Sequence, residues 1–231
     1  MGTRRPVTTL GGVSPWVWFV IGGVSAAVGV VLLAVDRSRR TAWERERREW
    51  AELRGWRFVV DSPGLANRWQ YGALARSGAG IARNLVEGTL FTSLGRRQVQ
   101  VFDHEQRGRL PSVVVAVQRR CSTDLVVELW LPEHPHPAAP GLEPLGTVGE
   151  RCAFGNDPER IHPLITSELL VTCNAVGADI PVVWLEQDWV LAAAPATVPP
   201  PRLELLLRAL DELADQLDGA ASSPGRGADE C

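Results

Sequence analysis

The sequence predicts an α+β protein: an N-terminal transmembrane helix, then an antiparallel sheet of six to eight strands with an inserted helix and a C-terminal amphipathic helix. Three observations carry this. Residues 15–35 (PWVWFVIGGVSAAVGVVLLAV) hold no charge, and as a helix rising 1.5 Å per residue they span about 30 Å, the thickness of a bilayer's hydrocarbon core. Between residues 56 and 131, runs rich in β-branched and aromatic residues follow one another across short turns, the pattern of a meander and not of alternating strands and helices. Finally, Leu203, Leu206, Leu207, Leu210, Leu213 and Leu217 recur at i, i+3, i+4 and i+7, one apolar helix face.

Taken in order, a short tail (residues 1–14) precedes the span. The basic cluster Arg37, Arg39 and Arg40 closes it at once, whereas only Arg4 and Arg5 lie before it. The positive-inside tendency therefore predicts an outer N-terminus and a cytoplasmic C-terminal domain. A run twice the length of a signal peptide's apolar core, with no clean small-x-small site, reads as a retained span. Gly22, Ser25, Ala26 and Gly29 fall on one side of it, a small-residue face suited to self-association, and residues 15–35 as a whole face lipid.

Residues 36–55 form an arginine-rich juxtamembrane helix. Thr41 and Glu44 match a capping box, so a fresh helix is expected there, and Trp43, Trp50 and Leu53 would share a narrow seam. Seven arginines against four glutamates in residues 37–54 suit anionic headgroups, and the simplest role is a solvated spacer.

The soluble domain is expected over residues 56–218. Strands are predicted at 56–60, 81–91, 98–106, 112–119 and 125–131, the last four as two hairpins turning at Ser93 to Arg96 and at Cys121 to Asp124. Residues 132–144 hold five prolines and read as a surface loop. A short strand near 153–160 precedes a helix from Pro163 to Ala175, with Leu164, Leu169, Leu170 and Val171 as its core residues. A third hairpin turns at Gln187 and Asp188. The last helix occupies 202–217, with prolines before it and Gly219 after it. Residues 219–231 form a polar tail expected to be disordered.

The chain's 231 residues leave one domain large enough for a proper core. A net charge of −3 argues against nucleic acid as a partner. All 24 basic residues are arginine, a mark of GC-rich coding. The cysteines Cys121, Cys152, Cys173 and Cys231 have no zinc-like spacing and read as reduced, mostly buried thiols.

No catalytic, cofactor-binding or metal site is assigned. On a strand, Asp103 and Glu105 point away from His104, so the three do not converge. His134 and His136 lack further ligands. Gly78 and Gly80 belong to no phosphate-binding motif, and no nucleophile stands in a recognisable context. Trp130 and Trp184 sit inside strand runs and read as core.

Gly55-Trp56 opening the domain, Gly88, Phe102-Asp103, the run from Ser112 to Val115, Phe154, Asp157, the helix at Leu164 to Leu170 and the Trp184 hairpin, together with the span and its basic helix, carry a resemblance. The chain resembles a group of single-pass membrane proteins of unknown function from high-GC Gram-positive bacteria. The resemblance implies no activity and no site residues. The sheet closed by one amphipathic helix is similar to a pleckstrin-homology-like roll, a likeness of fold alone. The expected function is a non-enzymatic interaction or scaffolding module at the cytoplasmic membrane face. The alternatives are a membrane-tethered enzyme whose site is dispersed in sequence, and a lipid-binding domain.

Overall fold

A computed structural model describes residues 15–77, 80–92, 95–106, 109–134 and 140–221. The chain divides into two compact units, Met1–Arg45 and Glu46–Cys231. The first contains most of helix α1 (Pro15–Leu53), whose stretch Trp18–Val35 is long and apolar enough to cross a membrane and buries none of its side chains in the protein. No new helix begins at Thr41. Its hydroxyl donates to the Arg37 carbonyl at 2.8 Å, four residues back, so the side chain serves an unbroken helix instead of capping a second one.

The second unit is built on one nine-stranded, wholly antiparallel sheet. Its strands are β1 (Arg57–Ser62), β2 (Ile81–Thr92), β3 (Gly95–Gln106), β4 (Arg109–Gln118), β5 (Val126–Trp130), β6 (Glu143–Val148), β7 (Arg151–Gly155), β8 (Val182–Glu186) and β9 (Trp189–Pro195). The spatial order is β1-β2-β3-β4-β9-β8-β5-β7-β6. The sheet thus exceeds the expected count, because β6 at the end of the proline-rich stretch carries no alternation that marks it as a strand.

The meander is real but lies one strand earlier than expected, running β1 to β4. The hairpin around Cys121 to Asp124 does not form. Strand β4 pairs with β9, and β5 pairs with β8 and β7. The β8–β9 hairpin, turning at Gln187 as the sequence predicts, is inserted between them. Separating β4 from β5 by three strand spacings requires about 14 Å, which the link between them covers easily. Burial explains the choice: Val113, Val114, Val115, Ala116 and Val117 are all buried, so β4 needs covered faces and a neighbour on each side, the environment of a central strand.

One face of the sheet is closed by α5 (Pro200–Ala221), α4 (Ser167–Ala175) and the end of α1. All six leucines of the predicted stripe are buried there. Helix α5 runs through Gly219, past the expected stop. The inserted helix is broken in two: α3 (Pro158–Ile161), extended by a 3-10 turn over His162–Leu164, and then α4, which Thr166 caps by accepting from the Leu169 amide at 3.2 Å. That fresh start rotates the helix relative to the expected one. Thr172 and Cys173 face the core with Leu169, while Val171 is 71% exposed.

The opposite face is closed by a 3-10 turn (Leu65–Arg68) and the short helix α2 (Gly72–Ser77). Ala66, Trp69 and Leu74 pack there against Leu85, Phe102, Trp130, Trp184, Trp189 and Leu191. Trp69 stacks on Phe102 with centroids 5.8 Å apart and meets Trp189 edge-on.

Candidate functional site

Helix α1 ends inside the fold of the second unit. Arg47 is buried and donates to Asp103 Oδ1 at 3.4 Å, while the Asn84 amide donates to Asp103 Oδ2 at 2.8 Å. Asn84 reaches that carboxylate because β2 bulges between Arg83 and Val86, where Asn84 takes φ = 49°. Burial pushes the Asp103 carboxyl above the usual carboxylate range, and Arg47 and Asn84 pull it only part of the way back. Burial likewise lowers the Arg47 guanidinium's hold on its proton. One turn on, Trp50 donates to Glu204 at 3.1 Å and meets Trp56 edge-on at 5.4 Å, while Arg54 pairs with Glu204 at 2.7 Å.

These contacts correct the spacer reading for residues 47–54 of the stretch 36–55. Arg47, Trp50 and Ala51 belong to the core, and Leu53, expected in the seam, is 88% exposed. Periodicity could not reveal this, because the decisive residue is a charged one whose partner lies 56 positions away.

Two further polar clusters are buried. Arg97 on β3 contacts Asp211, Asp215 and Asp218 of α5, and Arg119 reaches Asp218 at 3.1 Å. The sequence marks Asp211 and Asp215 only as lying off the leucine stripe. Their spacing with Asp218, i, i+4 and i+7, was the available sign of a second functional face on α5. On the tryptophan face, Glu186 accepts from the Gln70 and Tyr71 amides at 2.8 and 3.2 Å. Glu128 accepts from the Gly72 amide and from Trp130 Nε1, both at 2.7 Å. The available signal was a lone carboxylate inside each of two apolar strands, VVELW and VVWLE.

Asp103, His104 and Glu105 alternate as the strand geometry predicts. Asp103 meets Arg47, Glu105 pairs with Arg83, and His104 is buried on the opposite side from Asp103, tight against Gly80, with burial lowering its affinity for a proton. Among the described residues, no three His, Cys, Asp or Glu side chains gather as a metal site. Cys152 and Cys173 are free, and burial pushes the Cys173 thiol up to about 11 against the opposing pull of Arg151, which makes it a poor nucleophile. Cys121 is buried, as expected. His136, the turn at Ser93 and Leu94, Gly78, Cys231, the expected tail at 1–14 and residues 222–231 of the tail expected at 219–231 lie outside the described residues.

Between the sheet and helices α3 to α5 lies a wholly apolar cavity of about 40 Å³, lined by Leu129, Ile161, Leu164, Leu169, Val183 and Leu213 among others. Chemically, then, the carboxylates and guanidinium groups buried in this domain serve its own backbone and helices. In the first unit, Gly22, Ser25 and Ala26 are exposed, and a methyl group at Gly22 or Gly29 would meet nothing within 4 Å.

Comparison with known proteins gives a consistent result. A relative from Mycolicibacterium smegmatis, trehalose monomycolate transport factor A, is 27% identical over 180 residues, which cover 78% of this chain and 62% of that protein's length. The crystal structure of the mycobacterial trehalose monomycolate transport factor A superposes with a TM-score of 0.68 at 26% identity, covering 75% of this chain and 93% of that one. The expected kinship with proteins of high-GC Gram-positive bacteria thus holds, and "unknown function" was too coarse a description of them. The family of the trehalose monomycolate transport factor TtfA matches residues 14–224, and this chain belongs to it.

Proposed function

We propose that this protein is a non-enzymatic, membrane-anchored factor that assists transport of trehalose monomycolate, working as a protein-binding module on the cytoplasmic face. The observation that carries this reading is the employment of the domain's buried carboxylates and guanidinium groups. Asp103, Glu128, Glu186, Asp218, Arg97 and Arg151 each hold a strand, loop or helix of the same chain, and none is left presented to a substrate. In this reading the glycolipid itself is handled by a protein partner, and the apolar cavity under helices α3 to α5 is part of the domain's own core. The cargo comes from the relatives' name, and the matched stretch spans 62% of the curated one. The orientation rests on Arg37, Arg39 and Arg40 outnumbering Arg4 and Arg5. Residues 15–35 would supply the bilayer contact.

The test uses a Mycolicibacterium smegmatis strain depleted of its own factor and producing this chain with a green fluorescent protein at the C-terminus. Full-length protein should restore the trehalose monomycolate recovered outside the cytoplasmic membrane, and the fusion should fluoresce, as it does only in the cytoplasm. A chain lacking residues 1–45 should restore nothing. Dark fusion protein would reverse the orientation, and full rescue by the truncated chain would remove the anchor from the function.

A further inference from the structure

The two edges of the sheet are unlike each other. Strand β6 is blunted: it carries Pro144, which cannot donate, a register shift between Pro144 and Gly146, and Gly146 at φ = 99°. Strand β1 has no proline and no glycine and keeps one register against β2 from Arg57 to Ser62, with Val60 alone left without a partner residue beside the β2 bulge. Among the described residues, no other strand lies beyond it and no backbone hydrogen bond reaches its outer side. Val60 is exposed on it.

Arg57 and Asp61 are the charges on this edge. Edge charges usually discourage pairing, but these are of opposite sign and four residues apart. Antiparallel strands pair only in registers where the two opposed residues both turn their backbone groups toward the partner, so a two-fold axis must pass through a residue and not between residues. An axis through Val59 sets Arg57 of one copy opposite Asp61 of the other, twice, and matches Phe58 with Val60. Neighbouring axes through Phe58 or Val60 set Arg57 opposite Val59 or Pro63 and gain no charge pair. Within the chain, Arg57 already pairs with Glu87 at 3.5 Å and Asp61 with Arg83 at 2.7 Å, and Arg83 also meets Glu105. Pairing across the axis would join these into one row of alternating sign: Glu87, Arg57, then Asp61 and Arg83 of the second copy.

We propose that β1 is a docking edge for a second copy of this chain, giving a two-fold dimer with a sheet continuous through Val59. The four-residue spacing of opposite charges is what selects a second copy over another strand-forming partner. This surface is distinct from the small-residue face at Gly22, Ser25, Ala26 and Gly29.

The experiment measures self-association of the full chain in detergent micelles by sedimentation equilibrium and by energy transfer between two labelled pools. Arg57→Asp sets like charges opposite each other at both ends of the joint, and so does Asp61→Arg. Each variant alone should dimerise about tenfold more weakly than the parent, given the modest worth of each cross-strand pair. Mixing the two variants should restore parental affinity as a heterodimer. At one end of that joint the carboxylate introduced at position 57 faces the guanidinium introduced at position 61, and at the other end the native Asp61 faces the native Arg57. Restoration on mixing also shows that both variants are folded. A parent chain that stays monomeric at about tens of micromolar overturns the proposal, as does a mixture no tighter than its components. So does a dimer that ignores both charges and disappears with Gly22→Leu, which would assign association to the apolar helix.

Discussion

The two faces of the sheet are closed by different means. Helix α5 covers one with a leucine stripe, so its placement follows from local periodicity and from apolar area removed from water. The tryptophan face is covered by a short segment made of a 3-10 turn and a six-residue helix, too short to hold themselves together. Two buried carboxylates do it instead, each reaching up from a strand to the amides of residues 70–72. A helix with a continuous apolar face needs no such device. A short cover over bulky indole rings does, because its own backbone donors would otherwise be buried without partners.

This difference can be broken from the helix side first. Leu210 is fully buried under α5, and Leu210→Ala removes its packing from the centre of the larger core. The expected loss is about 2–5 kcal/mol in a denaturant midpoint experiment on the full chain, a larger effect than either substitution on the tryptophan face should produce. A loss below about 1 kcal/mol would show that the helix face is redundant and that the sheet stands on its other cover.

The tryptophan face should respond to a smaller chemical change. Gly72 takes φ = 62°, a conformation open to glycine, and its α-carbon lies flat against the Trp184 ring, so that an added methyl group would overlap the ring. Gly72→Ala therefore costs about 2–4 kcal/mol through overpacking and backbone strain together. Gly219 on α5 provides the contrast, since a methyl group there meets nothing within 4 Å. Increased exposure of tryptophan fluorescence in Gly72→Ala, without loss of helix, would localise the damage. Equal stability of the variant and parent would mean the cover is not seated on Trp184.

How far the sequence foretells each face follows the same division. The α5 stripe, the β8–β9 hairpin turning at Gln187, and the burial of Trp130 and Trp184 are all local patterns, and all are found in the structure. Strand order is not local. Cys121 to Asp124 has the composition of a hairpin turn, yet the chain there crosses to the far side of β8, because Val113 to Val117 demand a neighbour on each side. Arg47, Arg97, Glu128 and Glu186 read in sequence as surface charges or strand irregularities. Arg47 and Glu128 find partners 56 residues away and Arg97 reaches Asp218 across 121, and charge type alone does not reveal who the partner is.

The subtlest difference between the faces is electrostatic. Burial holds the Glu186 carboxyl above its usual range, with the Gln70 and Tyr71 amides pulling it back and neighbouring Glu128 pushing it further up. The folded protein therefore binds more protons at this site than the unfolded chain between the ordinary glutamate value and the raised one. Stability from this group is present below the unfolded value and is lost as pH rises through the folded one. Glu186→Gln removes that titration. It also leaves one of the two backbone amides facing the side-chain NH2, which cannot accept, a cost of about 1–2 kcal/mol. That cost, measured against the parent by denaturant unfolding, should be greatest near about pH 4 and shrink toward about pH 7, where the parent carries the burden of a buried charge that the variant lacks. The leucine-covered face offers the control, since the penalty of Leu210→Ala has no titrating group behind it and should stay level over the same range. A Glu186→Gln penalty that grew with pH would mean the carboxylate is stabilised by its two amides beyond what burial costs it, and the cover would then be held by a charge the fold welcomes.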